Sequence, residues 1–370
     1  MKSMASWGNE LYAGERSYPF IPNRKKSVTT GGVVILIAII LLIFRGLNPS
    51  IEFSGGSQFS LANVQTTEQS LAYDVMAENG ITEGIKVSQL GTDGLRVQSP
   101  EVSAEQTPQV REALAEAYQI EPGDVDATVI GPSWGADVTK KALQSLVIFL
   151  VLVGAMMAFY FRSWSMSLAA LWALTHDIFL TIGFFSLLQV EVSPATVIGF
   201  LTILAYSLYD TVVVFDRVRE LTANITKQSK YTFAEMVNLA INQTLVRSIN
   251  TSIVALLPVG SILFLGSFLL GAGTLTDISL ALFVGMAVGT LSSVFIAPSA
   301  LVMIEERRSK IGQHTKRIKI ERGELKEEST DEEGSASAKK SEDKEPVKVS
   351  APTPGRHLGQ QAQPKRKKRK

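Results

Sequence analysis

Residues 28–44 read VTTGGVVILIAIILLIF, seventeen positions without one charged side chain. At ~1.5 Å of rise per residue, such a helix spans most of a hydrocarbon layer roughly 30 Å thick. Arg16, Arg24, Lys25 and Lys26 precede it, and no small-residue cleavage site follows, so it reads as a retained anchor rather than a signal peptide. Five more apolar runs occur downstream, at 142–161, 167–188, 193–215, 249–270 and 278–304. The predicted fold class is therefore an α-helical integral membrane protein with six transmembrane helices. Residues 45–140 separate the first helix from the five-helix domain at 141–304.

Charge is sorted along the 370 residues even though 36 Lys and Arg nearly balance 35 Asp and Glu. By segment the net charge is +3 for 1–27, zero for 28–44, −9 for 45–140, zero for 141–304 and +7 for 305–370. Basic residues sit in every second loop: Arg162, then Arg217, Arg219, Lys227 and Lys230, then Arg307, Arg308 and Lys310. The alternate loops, around Glu191 and around Thr274–Asp277, hold no Lys or Arg. All six spans then agree on cytoplasmic N- and C-termini, with residues 45–140 on the far side.

Soluble-enzyme chemistry finds little support. Cysteine is absent, which excludes a disulfide scaffold, a thiolate zinc site, an iron–sulfur centre and a Cys nucleophile. No Gly-Lys pair supplies a P-loop lysine, neither H-E-x-x-H nor G-x-S-x-G occurs, and His176, His314 and His357 are scattered. No metal site, cofactor or catalytic residue is expected.

Residues 45–140 alternate elements. Strands are predicted over Glu52–Ala62 (opened by Gly55-Gly56), Ile85–Leu90, Gly94–Gln98 and Asp126–Ile130. Helices are predicted over Thr67–Glu78 and Glu105–Gln119, the second with Val110, Leu114 and Tyr118 on one face. That βαββαβ order is the ferredoxin-like pattern. In the polar loop 216–246, Thr232–Thr244 reads as a helix whose stripe of Phe233, Met236, Val237 and Ala240 packs on the bundle or at the interface. From residue 305 the composition predicts a disordered, basic cytoplasmic tail ending in six consecutive basic residues, 365–370. A solubilising role for that tail is favoured over lipid binding, and no nucleic acid partner is expected.

Charges inside spans call for a reason, since each costs roughly 2.5–3.5 kcal/mol at mid-depth. Asp177, Asp210 and Arg247 are the three cases. Tyr206 and Ser207 lie one turn before Asp210, within reach of hydrogen bonding to it, while Asn250 and Thr251 share a helix face with Arg247. Asp210 is either a structural helix–helix hydrogen bond or a proton-relay carboxylate tuned by burial and a nearby cation. Arg247 either pairs with Asp210 or snorkels to the interface as an anchor. Asp177, beside His176, is the weaker candidate. Gly285, Gly289, Ser292 and Ser293 form a small-residue stripe that permits close helix packing, within the chain or with a second subunit.

Four segments together resemble the SecD/SecF family of bacterial protein-export membrane subunits, relatives of the RND transporters. Tyr206-Ser-Leu-Tyr-Asp210-Thr-Val-Val-Val-Phe-Asp216-Arg217 is similar to the family's Tyr-Ser-Leu-Asn-Asp-Thr-Val-Val-Val-Phe-Asp-Arg signature. Gly46-Leu-Asn-Pro-Ser-Ile-Glu52-Phe-Ser-Gly55-Gly56 resembles its Gly-Leu-Asn-x-Gly-Ile-Asp-Phe-Thr-Gly-Gly. Thr244-Leu-Val-Arg247-Ser-Ile-Asn250-Thr251-Ser252 and the Gly289–Ala297 segment match two further family segments. The departures are Glu52 for Asp, Ser54 for Thr, Tyr209 for Asn and Ser248 for Thr. The resemblance covers roughly residues 11–304.

The resemblance implies a subunit of the plasma-membrane export machinery that pairs with SecD, associates with the SecYEG channel and uses the proton motive force to draw preproteins outward. Asp210 and Arg247 fall on the family's proton-conduction positions, with a further carboxylate expected from SecD. The rival readings are a half-transporter that exports a lipid or small molecule by RND-like logic, and a passive membrane scaffold.

Overall fold

In a computed structural model, the structure describes residues 4–266 and 273–324. A short helix α1 (Met4–Ala13) precedes α2 (Arg24–Arg45), the first long apolar helix. The others are α6 (Pro132–Phe161), α7 (Trp164–Leu188), α8 (Pro194–Thr222), α9 (Phe233–Phe264) and α10 (Gly273–Phe295), continued by α11 (Ala297–Glu306). Among the described residues, six helical segments are long and apolar enough to cross a membrane, counting α10 and α11 together. Their outward faces carry uncovered apolar side chains such as Leu36, Phe44, Leu143, Val151 and Phe159, which only a lipid environment accommodates in such number.

Local chemistry sets the helix starts. Ser163 accepts from the Met166 amide ahead of α7, Ser193 and Thr196 form a capping box ahead of α8, and Thr232 and Glu235 form one ahead of α9. The break between α10 and α11 falls just before Pro298, whose ring cannot continue the α10 hydrogen-bond ladder.

Between α2 and α6 the chain forms α3 (Ile51–Ser54) and then β2 (Gly56–Leu61), α4 (Gln69–Glu78), β3 (Lys86–Leu90), β4 (Gly94–Ser99), α5 (Thr107–Ala117) and β5 (Val125–Ile130). The sheet order is β3-β4-β2-β5, antiparallel at every step. Alternation along β2 and β4 buries Phe59, Leu61, Leu95 and Val97 against the two helices. Tyr118 closes this core, its hydroxyl donating to the Glu68 carbonyl at 2.6 Å.

Three expectations require correction. The strand predicted from Glu52 begins only at Gly56, and residues 51–54 make a helical turn instead. Gly55 (φ +74°) and Gly56 (φ +133°) end that turn in conformations side chains resist, and a Cβ on Gly55 would lie 2.9 Å from Pro132 Cα. The amphipathic stretch after Thr232 is the first part of α9, continuous with the fifth span, because Phe233, Met236, Val237 and Ala240 bury against the bundle. Residues 267–270 of that predicted span lie outside the described residues.

The third correction concerns the tail. Residues 309–321 form a packed helix, α12 (Ser309–Glu321), burying His314, Thr315 and Ile318. Arg322 donates to both Glu235 oxygens at 2.6 and 3.0 Å, and this carboxylate holds the guanidinium above its ordinary pKa. Few apolar residues are needed for this docking, so composition gave little sign of it. The predicted disorder beyond residue 324, including the six basic residues at 365–370, lies outside the described residues.

The helix ends gather into two groups. At one end Arg24 pairs with Glu306 (2.7 Å), Arg308 reaches Ser165 (3.2 Å), and Asn242 clamps the Tyr18 backbone through both amide atoms (2.7 and 3.0 Å). At the other end β1 (Asn48–Pro49) pairs in parallel with β6 (Glu191–Val192), and Arg96 of the sheet unit forms an ion pair with Glu191.

Candidate functional site

Both acidic side chains predicted within spans lie deep in the bundle. Asp177 is 1% exposed and Asp210 is 5% exposed. Asp177 falls near the middle of α7, and Asp210 lies about 18 Å of helix before the end of α8. The small-residue stripe of α10 lets α8 come close enough to build their surroundings. Gly285 backs onto Ile203, and a Cβ on Gly289 would stand 2.8 Å from Ser207 Cβ. The stripe therefore serves packing within the chain.

Among the described residues, Asp210 is held by hydroxyl groups alone. Ser248 of α9 donates to Oδ1 at 2.7 Å, and Ser293 of α10 donates to Oδ2. Ser293 has a second acceptor within reach, the Thr290 carbonyl at 3.0 Å. Asp177 takes one strong bond, from Ser207 to Oδ2 at 2.5 Å, and a long contact from its neighbour His176 at 3.5 Å. Asp177 also lines an apolar cavity of 470 Å³ that extends past Thr181 and Phe200 to Leu47 and Phe53.

The expected partners of Asp210 lie elsewhere. Ser207 turns to Asp177, and Tyr206 donates to the Thr251 carbonyl of α9 at 3.1 Å. Arg247 does not pair with Asp210. Its guanidinium contacts the Tyr209 hydroxyl at 3.3 Å on an exposed face, because Arg247 and Ser248 point in different directions around α9 and the serine faces inward. Asn250 is exposed on the same face, while the Thr251 hydroxyl bonds back to the Arg247 carbonyl at 2.8 Å. Tyr209, Arg247 and Asn250 thus form a polar strip on an otherwise apolar surface. Sequence reasoning missed Ser248 and Ser293 as ligands of Asp210. Their signal was the pairing of small hydroxyl residues, 248 with 252 and 292 beside 293, on interior faces of two apolar helices.

Comparison with known proteins bears on this arrangement. Residues 109–307 match the family described as protein export membrane protein SecD/SecF, C-terminal, and residues 40–62 match the SecD/SecF GG motif. The protein translocase subunit SecF of Streptomyces coelicolor is 43% identical over 94% of each chain. The chain belongs to the SecD/SecF family. Within it, the SecF subunit of Mycobacterium leprae is 37% identical over 84% of this chain and 69% of its own length. A crystal structure of SecDF, titled a translocon-associated membrane protein, from a Thermus species superposes with a TM-score of 0.72 at 30% identity. The match covers 80% of this chain and 39% of that longer one. With this family membership, the six apolar helices make the chain a multi-pass membrane protein.

In this SecD/SecF chain the GG motif has a clear physical role. Gly55 and Gly56 let the backbone pass between the start of α6 and the end of β4, with a Cβ on Gly56 blocked by the Ser99 carbonyl at 2.5 Å. Gly135 of α6 packs on the Phe53 carbonyl from the other side. Glu52 is half-buried in the first turn of α3 and makes no hydrogen bond among the described residues. The Gly-Gly pair thus joins the sheet unit to the second span.

Proposed function

We propose that this SecD/SecF-family chain is a proton-driven, non-enzymatic subunit of protein export, and that Asp210 carries the proton. The observation behind this is the hydroxyl-only surround of Asp210. A hydroxyl both donates and accepts, so Ser248 and Ser293 suit either protonation state, which a guanidinium partner does not. In the ionised state Ser293 donates to Oδ2. When a proton arrives on Oδ2, that O–H donates to Ser293 Oγ, and the serine hydrogen turns to the Thr290 carbonyl, already at 3.0 Å. Release reverses the two rotations, and no group is left without a partner.

The polar strip of Tyr209, Arg247 and Asn250 is the place for a SecD subunit. A guanidinium facing lipid with a hydroxyl and no counter-charge beside it is costly, so a carboxylate-bearing partner helix fits best. The basic end of the bundle lies in the cytoplasm with both termini, and the acidic ferredoxin-like unit lies outside the plasma membrane, where preprotein emerges from a SecYEG channel. Each charge moving down 100 mV releases about 2.3 kcal/mol, which supplies work without nucleotide.

The test substitutes Asp210→Asn and Arg247→Met separately, confirms membrane insertion, and measures export of a secreted reporter with and without a proton gradient. Both variants are expected to lose the gradient-dependent component. Parental export by both leaves the scaffold reading standing. Drug sensitivity with normal secretion favours the small-molecule exporter.

A further inference from the structure

At the end of the bundle where Glu191 sits, a cavity of 520 Å³ separates the sheet unit from the membrane helices. Residues 85–91 line it without interruption, so β3 borders it along its whole length. β3 is an edge strand, and among the described residues no backbone pairs with its outer side. Such an edge presents N–H and C=O groups at strand spacing, a repeat that another extended polypeptide matches.

The chemistry of the walls narrows the occupant. Lys86 and Arg96 are offset by Glu191 and Asp277, so the lining carries equal numbers of opposite charges. These charges are already engaged: Glu191 with Arg96 and Gln98, Asp277 with Ser193 at 3.0 Å, and Lys86 with Asn48 at 2.6 Å. A groove balanced in this way discriminates little between charged side chains and favours neutral backbone. A second, independent observation points the same way. Among the described residues Arg96 Nε, buried in this wall, has no hydrogen-bond partner, a donor that a small shift of the side chain offers to an acceptor such as a peptide carbonyl. The other edge strand, β5, lines neither this cavity nor the one beside Asp177.

We propose that this groove binds an extended segment of the exported polypeptide as an added strand on β3. About five residues fit, at roughly 3.3 Å each. The inference rests on the export reading, which supplies the polypeptide, and it places one point of contact between the moving chain and the motor.

The absence of native cysteine makes single-cysteine cross-linking unambiguous. Full-length chains carrying Gln89→Cys, Ser88→Cys or, as a control on β5, Val129→Cys are inserted with their partner subunit. A secreted reporter is then stalled during export, with one cysteine walked along it residue by residue. Gln89→Cys is expected to cross-link to alternate reporter positions, severalfold above Val129→Cys, because an added strand repeats every second residue. Cross-linking without that period, or equally from Val129→Cys, overturns the proposal. So does its absence while reporter export still depends on this chain. Export that is independent of the chain overturns the export reading itself, and the proposal with it.

Discussion

Gly289→Ala tests whether close contact between α8 and α10 builds the carboxylate sites. The added methyl would sit 2.8 Å from Ser207 Cβ and 2.9 Å from its Oγ. Carbon atoms in ordinary contact are about 3.5–4.0 Å apart, so the helices must separate by roughly 0.7 Å or Ser207 must swing away. Overpacking of this kind costs about 1–3 kcal/mol. Either movement stretches the 2.5 Å bond from Ser207 to Asp177, and it disturbs Ser293, one turn along α10, at Asp210. The comparison is Gly32→Ala on α2, where an added Cβ meets nothing within 4 Å. There alanine is expected to be neutral or slightly stabilising, by up to ~1 kcal/mol. Thermal unfolding of the purified proteins, paired with gradient-dependent export, reads both effects. A Gly289→Ala protein as stable and as active as the parent refutes the packing argument.

Other substitutions test neighbouring parts of the structure. Ser207→Ala removes the one short hydrogen bond to the Asp177 side chain, and the unsatisfied buried oxygen is expected to cost about 1–3 kcal/mol in unfolding measurements. Gly56→Ala forces a side chain onto φ +133° against the Ser99 carbonyl, and limited proteolysis is expected to cut between residues 56 and 130 faster than in the parent. Asn242→Ala loses both bonds to the Tyr18 backbone, so the segment between α1 and α2 should become protease-sensitive while the spans stay intact. Glu235→Gln weakens a partly exposed ion pair of about 1 kcal/mol or less, so α12 should be cleaved more readily, and high salt should bring the parent toward the variant.

The six long apolar helices and the βαββαβ order were legible because each follows from periodicity along one segment, while the starts of α6 and α9, set by polar first turns, were not. Charge sorting likewise separated the two ends of the bundle before any contact was known. What could not be read was rotation. Asp210, Arg247 and Ser207 were recognisable as unusual, but their pairing depends on the phase of each helix about its axis. Arg247 and Ser248 lie about 100° apart around α9, and that phase decides which of them faces Asp210. The α12 helix was missed for a different reason. Its docking rests on buried Ile318 and on Arg322 reaching Glu235, a residue 87 positions away. The wall of the β3 groove is equally non-local, since Arg96 meets Glu191 across 95 residues.

The central claim is that Asp210 changes protonation inside its hydroxyl surround. Infrared difference spectroscopy of the full-length protein in lipid, titrated with pH, observes the carboxylic C=O stretch directly. The parent is expected to show a titrating band that vanishes in Asp210→Asn and changes frequency in Ser293→Ala, where one hydrogen-bond partner of the acid is gone. If Asp210→Asn leaves every titrating carboxyl band of the parent in place, Asp210 does not carry the proton.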